Sequence, residues 1–325
     1  MQSAEPVTVQ AGINIALVKY WGKRDPAANL PAVGSISLTL DTFTTTTTIV
    51  FESDLVQDTF VLNGVAREDP RVSELLDQVR RAARMHSFAR VDSVNTVPTA
   101  SGLASSASGT AALAKAAWHA AGLPTDGILK NPEFLSIVRR GSGSAPRSLL
   151  PGIVELDRDT GQIDCLCDRD EWALNMVVAQ LADGPKAVSS RLGMAETRAT
   201  SPYYGAWVKK HPSDLSEARN AIARRDLARL GETMERSTMR MHACMLANDP
   251  PLRYLKGITL DVMDRVEALR AAGVGAWYTM DAGPHVKILC AREDTPHIVD
   301  ALAEILPRAC LQVASPGGGA TVISP

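Results

Sequence analysis

The sequence predicts an α+β protein built from two closely packed lobes. Its first half alternates strand-like stretches, rich in β-branched and apolar residues, with stretches of helical apolar spacing. Across residues 187–270 the spacing is mostly helical, and a pair of strands, a helix and a last strand follow. Because the pattern changes near residues 183–186, we place the N-terminal lobe at 1–184 and the C-terminal lobe at 185–325.

Two long strands open the first lobe. Residues 7–17 and 36–51 combine β-branched and apolar residues, and a run of five threonines in the second stretch favours an extended strand over a flexible linker. A further strand at 58–62 runs into Asn63-Gly64, a pair typical of tight turns. These signals make the start of the chain rich in β-structure.

Helices are predicted between and after these strands. Residues 72–85 have apolar residues at helical spacing, and the solvated face of that helix is expected to carry Arg80, Arg81 and Arg84. A strand at 91–97 leads through a loop of small residues into an alanine-rich helix at 111–121. The helical stretch of the second lobe is expected to break at three places, near Pro202, Pro212 and Pro250.

The composition is typical of a soluble globular protein. Of the 325 residues 45% are hydrophobic and 22% are charged, and the formal net charge is −2. This balance argues against broad attraction to nucleic acid or anionic membranes, so an anionic ligand must meet a local cluster of donors. The five cysteines are scattered and are expected to be buried and reduced, and no stretch resembles a signal peptide or membrane span. We therefore expect a cytoplasmic protein with no nucleic-acid or membrane partner.

One loop has the composition of a phosphate-binding segment. Residues 98–109, PTASGLASSASG, combine small residues with several hydroxyls immediately before a helix. Unpaired N–H groups at a helix N-terminus bind phosphate, and small residues let the backbone approach closely. The segment is neither a Walker A loop nor a GxGxxG motif, and its composition alone is more typical of plain packing. The complete string, however, resembles the PxxxGLxSSA loop of the GHMP kinase superfamily.

In that superfamily the loop cradles the triphosphate of ATP. The resemblance implies a GHMP kinase-like two-lobed fold with mixed sheets, packed helices and a deep cleft between the lobes. It also implies ATP and Mg²⁺ as cofactors, with magnesium held by phosphates and by a loop serine, Ser105 or Ser106. The residues implied to bind ATP are Pro98, Ala100, Gly102, Leu103, Ala104, Ser105, Ser106, Ser108 and Gly109.

Three further segments narrow the resemblance to the mevalonate diphosphate decarboxylase family. They are NIALVKYWGKRD at 14–25, RRGSGSAPRSL at 139–149 and YTMDAGPHVKIL at 278–289. Shorter matches occur at 188–194 and 239–243, so the resemblance runs end to end with the motifs in the family's order. It implies a homodimeric enzyme that uses ATP to phosphorylate the tertiary 3-hydroxyl of 5-diphosphomevalonate. Isopentenyl diphosphate, ADP, phosphate and CO2 would be the products.

Such a reaction needs a base or charge partner near the hydroxyl and a cation at the substrate carboxylate. Asp281 lies between an apolar strand and an Ala-Gly-Pro turn and matches the family's catalytic aspartate. Lys19 interrupts an apolar strand, where an unpaired ammonium is costly, and the resemblance implies that it pairs with Asp281. Arg147 is expected to grip the carboxylate with its planar guanidinium. Taken singly, each has a plainer explanation, as a turn aspartate, a snorkelling lysine or a solvent-facing arginine.

The resemblance also assigns residues to the rest of the substrate. The tail diphosphate is expected to meet a tyrosine, a lysine, a serine and an arginine, while two loop serines donate to other oxygens and an asparagine braces the site. In chain order these residues are Asn14, Tyr20, Lys23, Ser142, Ser144, Ser190 and Arg191. His242 and His285 are expected to be hydrogen-bonded structural residues, because no metal-binding motif accompanies them.

The chain departs from the family pattern around the substrate. Pro146 and Pro151 replace a cysteine and a glycine, His285 replaces an asparagine, and Val33-Gly34-Ser35 stands in place of Asn-Ser-Ser. These changes leave open a decarboxylase of mevalonate 5-phosphate or of another 3-hydroxy acid. A GHMP-type small-molecule kinase and a non-catalytic nucleotide-binding protein also remain as alternatives.

Overall fold

The computed structural model describes residues 5–96, 105–182 and 188–324. It confirms the predicted α+β class, and no helix in these ranges has the length and apolar character needed to cross a membrane. The strands are β1 (Val7–Val18), β2 (Lys23–Asp25), β3 (Leu30–Pro31), β4 (Ser35–Glu52), β5 (Thr59–Leu62), β6 (Val65–Ala66), β7 (Phe88–Asn95), β8 (Ile153–Leu156), β9 (Ile163–Cys167), β10 (Leu174–Ala179), β11 (Ala276–Thr279), β12 (Val286–Ala291), β13 (Leu311–Ala314) and β14 (Thr321–Ser324). The α-helices are α1 (Pro70–Ala83), α2 (Ser105–Ala120), α3 (Pro132–Gly141), α4 (Ser190–Thr200), α5 (Tyr204–Arg224), α6 (Leu227–Leu246), α7 (Gly257–Ala271) and α8 (Thr295–Ala303).

The larger sheet is built around the two long strands that the sequence predicts. Its strands pair in the order β14-β1-β4-β7-β5-β6, and β8 and β9 extend it from β4. Alternate residues of β4 from Phe43 to Phe51 are buried, as expected when one face of a strand is covered. Helix α2 packs on β1 and β4, and its buried alanines let helix and strands approach closely.

The smaller sheet is antiparallel and has the order β11-β12-β10-β13. Helices α7 and α8 share a hydrophobic core with it. Strand β10 lies in the predicted first lobe but joins this sheet, whereas β14, near the end of the chain, pairs with β1. Sheet membership therefore does not coincide with the predicted boundary at 184, and the division into lobes stays a prediction.

Helix α6 joins the ends of the two sheets. The backbone N–H of Lys19, directly after β1, donates to the hydroxyl of Ser237 on this helix at 3.0 Å. The next residue, Thr238, shares a 2.9 Å hydrogen bond with Thr279 at the end of β11. Because one helix holds both strand ends, the residues that follow β1 and β11 are brought to the same place.

Three local expectations are wrong. Arg80 is not solvated but buried, because its guanidinium forms ion pairs with Asp58 and Asp77. Helix α5 continues through Pro212, since one missing N–H removes a single backbone bond while buried residues on either side hold the helix in place. Cys165 is exposed, although all five cysteines are free as expected.

Candidate active site

Asp281 lies where the two sheets meet, in the turn after β11. Its Oδ1 accepts a 2.8 Å hydrogen bond from the ammonium of Lys19. Its Oδ2 accepts a 3.3 Å hydrogen bond from Lys287 on β12. Both lysine side chains are only 1% exposed, whereas that of Asp281 is 30% exposed. Two buried ammonium groups therefore lie behind the carboxylate and present it outward.

These contacts fix the charge of the cluster. Burial opposes ionisation of Asp281, but attraction to Lys19 and then to Lys287 outweighs it and holds the pKa of the carboxyl well below its usual range. Burial also lowers the pKa of Lys19 to about 8, and the neighbouring Asp281 prevents a larger fall. Asp281 is therefore an anion across the physiological range, whereas Lys19 loses its proton in mildly alkaline solution.

Arg147 is a buried cation, and its hydrogen-bond partners among the described residues are all neutral. It is 2% exposed, and its Nε donates to Ser37 at 2.8 Å while Nη1 donates to Ser35. Burial lowers the pKa of Arg147 to about 10, while Tyr20 and then Asp281 act to raise it. One hydrogen on each terminal nitrogen has no acceptor in the described part of the chain, which suits a two-pronged grip on a carboxylate.

Asn14 braces this arginine against the loop after α3. Its Oδ1 accepts from Arg147 Nη2 at 3.0 Å and from Nε at 3.2 Å. Its amide nitrogen donates to the hydroxyl of Ser148 at 2.8 Å and to the carbonyl of Ser144 at 3.1 Å. Asn14 thus uses both ends of its amide to position protein groups.

The loop between α3 and the 3₁₀ helix Ala145–Leu149 packs against Tyr20. The hydroxyls of Ser142 and Ser144 lie 3.4 Å apart on this loop, and a side chain on Gly143 between them would overlap the Tyr20 hydroxyl. That hydroxyl is buried without a hydrogen-bond partner among the described residues, and burial raises the pKa of Tyr20 to about 12. The positive charges of Arg147, Arg139 and Arg191 act in the opposite direction and lower the pKa of Tyr20.

A cavity of about 570 Å³ opens on the Arg191 side, between the β2–β3 hairpin and helices α1, α3 and α4. Ser190 and Arg191 form the first turn of α4, and burial followed by repulsion from Arg191 lowers the pKa of Lys23. The charged residues that line the cavity are Lys23, Arg71, Glu74, Arg140, Arg191 and Arg198. Five cations against one carboxylate suit the tail of a polyanionic ligand. Asp281 and Arg147 are not among the lining residues, so the reacting end would lie outside this cavity.

The predicted ATP loop is described only in its last part. Pro98, Ala100, Gly102, Leu103 and Ala104 lie outside the described residues. Ser105 begins α2, and Ser106 is exposed in its first turn, followed by Gly109 in the next. Ser108 is completely buried with its hydroxyl 2.7 Å from that of Thr45, and its contact with ATP stays a prediction.

The first turn of α2 fits a magnesium ion that arrives with a nucleotide. The Ser106 hydroxyl is a hard oxygen ligand, which Mg²⁺ prefers, and one such ligand suffices when phosphates and water supply the others. Among residues 5–96, 105–182 and 188–324 no group of three or more His, Cys, Asp or Glu side chains could hold a metal. His285 accepts a 3.0 Å hydrogen bond from the Leu181 N–H, and His242 bonds to the backbone of Met280.

Three residues of this site were missed in the sequence, although each left a signal. Ser35 and Ser37 occupy alternate positions of a fully buried stretch of β4, where polar side chains need buried partners. Lys287 interrupts the apolar strand β12 in the same way that Lys19 interrupts β1. The sequence could not supply Arg147 as the partner of the two serines, because it lies at least 110 residues away, whereas Lys287 is only six residues from Asp281.

Family profiles match most of the chain. The diphosphomevalonate decarboxylase-like N-terminal domain matches residues 11–167, and the mevalonate 5-diphosphate decarboxylase C-terminal domain matches residues 176–315. The diphosphomevalonate decarboxylase of Schizosaccharomyces pombe is 34% identical over 93% of this chain and 83% of its own length. The human diphosphomevalonate decarboxylase is 32% identical over 93% of this chain and 82% of its own length.

Solved structures agree with these matches. Mevalonate diphosphate decarboxylase from Staphylococcus aureus superimposes with a TM-score of 0.92 and 37% identity over 98% of both chains. A structure described as MDDEF in complex with MVAPP, AMPPCP and magnesium gives a TM-score of 0.91 and 38% identity, covering 98% of this chain and 99% of that one. The GHMP kinase-like α+β fold expected from the sequence is thereby confirmed. The chain belongs to the diphosphomevalonate decarboxylase family.

Proposed function

We propose that the protein catalyses the ATP-dependent decarboxylation of 5-diphosphomevalonate to isopentenyl diphosphate, with release of ADP, phosphate and CO2. The observation that carries this proposal is the Lys19–Asp281 ion pair together with Arg147, a buried cation without a carboxylate partner among the described residues, on whose charge Asp281 acts. Membership of the family and the solved complex with MVAPP and AMPPCP support the same reaction.

The proposed reaction transfers one phosphoryl group and then eliminates phosphate and CO2. The 3-hydroxyl oxygen bonds to the γ-phosphorus of ATP as the bond to the β,γ-bridging oxygen breaks, and ADP leaves with the hydroxyl proton passing to the surroundings. The new phosphate then departs with the C–O electron pair and leaves positive charge on the tertiary carbon. The electron pair of the bond to the carboxylate forms the alkene as CO2 is released. Arg147 would hold that carboxylate in place beforehand.

Asp281 suits the role of orienting charge partner better than that of proton acceptor. Two ammonium groups hold its pKa well below the usual range, so its carboxylate is a weak base. It can still accept the hydrogen bond of the tertiary hydroxyl and place the oxygen in line with the γ-phosphate. Its negative charge also favours the positive charge that develops on the carbon.

ATP and Mg²⁺ are the proposed cofactors. The N–H groups of the first turn of α2 would hold phosphate oxygens, and Ser106 would supply a hydroxyl ligand to the metal. Bound magnesium neutralises phosphate charge during the transfer. From the family resemblance we also propose that the protein works as a homodimer. From its composition we propose that it works in the cytoplasm, without a nucleic-acid or membrane partner.

The identity of the substrate is tested directly by its products. Incubation with ATP, magnesium and 5-diphosphomevalonate should yield isopentenyl diphosphate, ADP, phosphate and CO2 in equal amounts. ADP formation without CO2 would instead support a small-molecule kinase. ATP binding without turnover of any mevalonate derivative would support a non-catalytic nucleotide-binding protein.

The cationic cavity predicts a preference for the diphosphate over the monophosphate. Lys23→Met and Arg191→Met should each raise KM for 5-diphosphomevalonate by about 10-fold or more, since each removes a charge-assisted bond to the tail. Because these groups do not touch the reacting atoms, kcat should change much less. Steady-state kinetics with mevalonate 5-phosphate as the second substrate provide the comparison. Equal kcat/KM for the two substrates in the wild type would contradict the assignment of the cavity.

The lowered pKa of Lys19 predicts an alkaline limit to activity. The ammonium is present below about pH 8 and is lost as the pH rises through that value, so kcat/KM should fall above it. Lys19→Arg should move this limb to higher pH, because a guanidinium keeps its charge. The measurement is the pH profile of kcat/KM at saturating magnesium. A wild-type profile that stays flat to about pH 10 would show that the charge of Lys19 is not needed.

A further inference from the structure

Lys287 forms the second half of a clamp on Asp281. Its ammonium lies 3.3 Å from Asp281 Oδ2, the oxygen that Lys19 does not use, and 3.5 Å from the carbonyl of His285. The β11–β12 register places Lys287 opposite Thr279, two residues before Asp281. The strand ladder itself therefore fixes this lysine behind the carboxylate.

A structural role alone explains Lys287 poorly. Its neighbours on β12 are buried apolar residues, and an ammonium at this depth costs more than a methionine or leucine would. In the described part of the chain Asp281 is the only carboxylate with which Lys287 forms an ion pair, and Lys19 already neutralises Asp281. The second lysine makes the cluster more positive than a stable empty site requires.

The other charges near Asp281 explain why the cluster carries this additional positive charge. Lys19 approaches from the end of β1 and Lys287 from β12, and Asp281 also acts on the charge of Arg147 in the 3₁₀ helix, so the site holds more cations than carboxylates. His242 on α6 faces the same cluster but stays neutral, because burial, and then repulsion from Lys19, lowers its pKa to about 4. An incoming γ-phosphate would repel the Asp281 carboxylate and favour its protonation or displacement. A single lysine that also attracts the phosphate could release the carboxylate at that moment.

We propose that Lys287 is a positioning residue for the phosphoryl transfer, which holds Asp281 ionised and turned toward the substrate hydroxyl while anionic ligands fill the site. The inference rests on the proposed function for its catalytic consequence. It assigns different tasks to the two lysines. Lys19 divides its ammonium between Asp281 Oδ1 and the carbonyl of Ala16 and supplies charge to the phosphoryl group, whereas Lys287 holds the other carboxylate oxygen in place.

Kinetics of Lys287→Met and Lys287→Gln provide the first test. Both variants should lower kcat by about 10–100-fold, because the carboxylate is no longer held in line, with little change in KM. Lys287→Arg, which keeps the positive charge, should retain more of the wild-type kcat than either variant. Lys115→Met is the control: Lys115 is partly buried, donates to the carbonyl of Ala320 and should leave kcat and KM unchanged. A Lys287→Met enzyme with wild-type kcat would overturn the inference.

A double-mutant cycle tests the clamp without turnover. Thermal unfolding of the wild type, Lys287→Met, Asp281→Asn and the double variant gives the coupling between the two side chains. The change in Tm caused by Lys287→Met should be several degrees more unfavourable in the wild-type background than in the Asp281→Asn background, where the substitution removes an ammonium that has lost its carboxylate. Equal shifts in both backgrounds would overturn the clamp. Coupling in a protein that turns over no mevalonate derivative would uphold the clamp and reject the proposed function, so the two failures are distinguishable.

Discussion

Asp281→Asn should lower kcat by about 10²–10⁴-fold while leaving the fold and ATP binding intact. The amide has nearly the shape of the carboxylate but carries no charge, so Lys19 and Lys287 lose the anion that holds them together. The tertiary hydroxyl loses its charged acceptor at the same time. Formation of ADP and of CO2 should fall together, because both depend on transfer to a correctly placed oxygen. Single-turnover assays of both products make the measurement.

Asp281→Glu separates charge from position. It keeps the carboxylate but lengthens the side chain by one methylene, so it should retain the charge of the cluster and lose its alignment. We expect a kcat between those of the wild type and Asp281→Asn. If Asp281→Asn kept more than about a tenth of the wild-type kcat, the charge of Asp281 would contribute little and the proposed centre would be wrong.

The sequence alone predicts those features that depend on neighbouring residues in the chain. β-Branched residues predict β1 and β4, and the Asn63-Gly64 pair adopts the left-handed backbone of a tight turn, as expected. Lys19 was recognisable because an ammonium in an apolar strand needs a partner. Its pairing with Asp281, 262 residues away, came from the family resemblance and could not be derived from either segment.

Other features depended on contacts that no single segment encodes. Arg80 lies at a position typical of an exposed helix face, yet Asp58 from another element draws it into the protein. Ser108 belongs to the phosphate-loop motif, and its place on the inner side of α2 brings its hydroxyl to that of Thr45. In both cases tertiary packing decided the direction of a side chain that its local pattern left open.

Arg147→Met should lower kcat/KM for 5-diphosphomevalonate by about 10²–10⁴-fold. The expected size follows from two charge-assisted hydrogen bonds to the substrate carboxylate, each contributing about 1.5–3 kcal/mol. Arg147→Lys should be intermediate, because it keeps the positive charge but replaces the planar fork with a single point of contact. Ser37→Ala, which removes one of the bonds that orient the guanidinium, should cost much less than either change.

The products of Arg147→Met distinguish a decarboxylase from a kinase on the same fold. A kinase that stops at the phosphorylated alcohol has no use for a cation on a carboxylate, so its ADP formation would survive the substitution. In a decarboxylase the carboxylate must be held where its breaking bond can overlap with the developing positive charge, and the burial of Arg147 among neutral donors gives that anion its place. Loss of both ADP and CO2 formation, with ATP affinity unchanged, is therefore the expected result. If both the wild type and Arg147→Met formed ADP at the same rate and neither released CO2, Arg147 would have only a structural role.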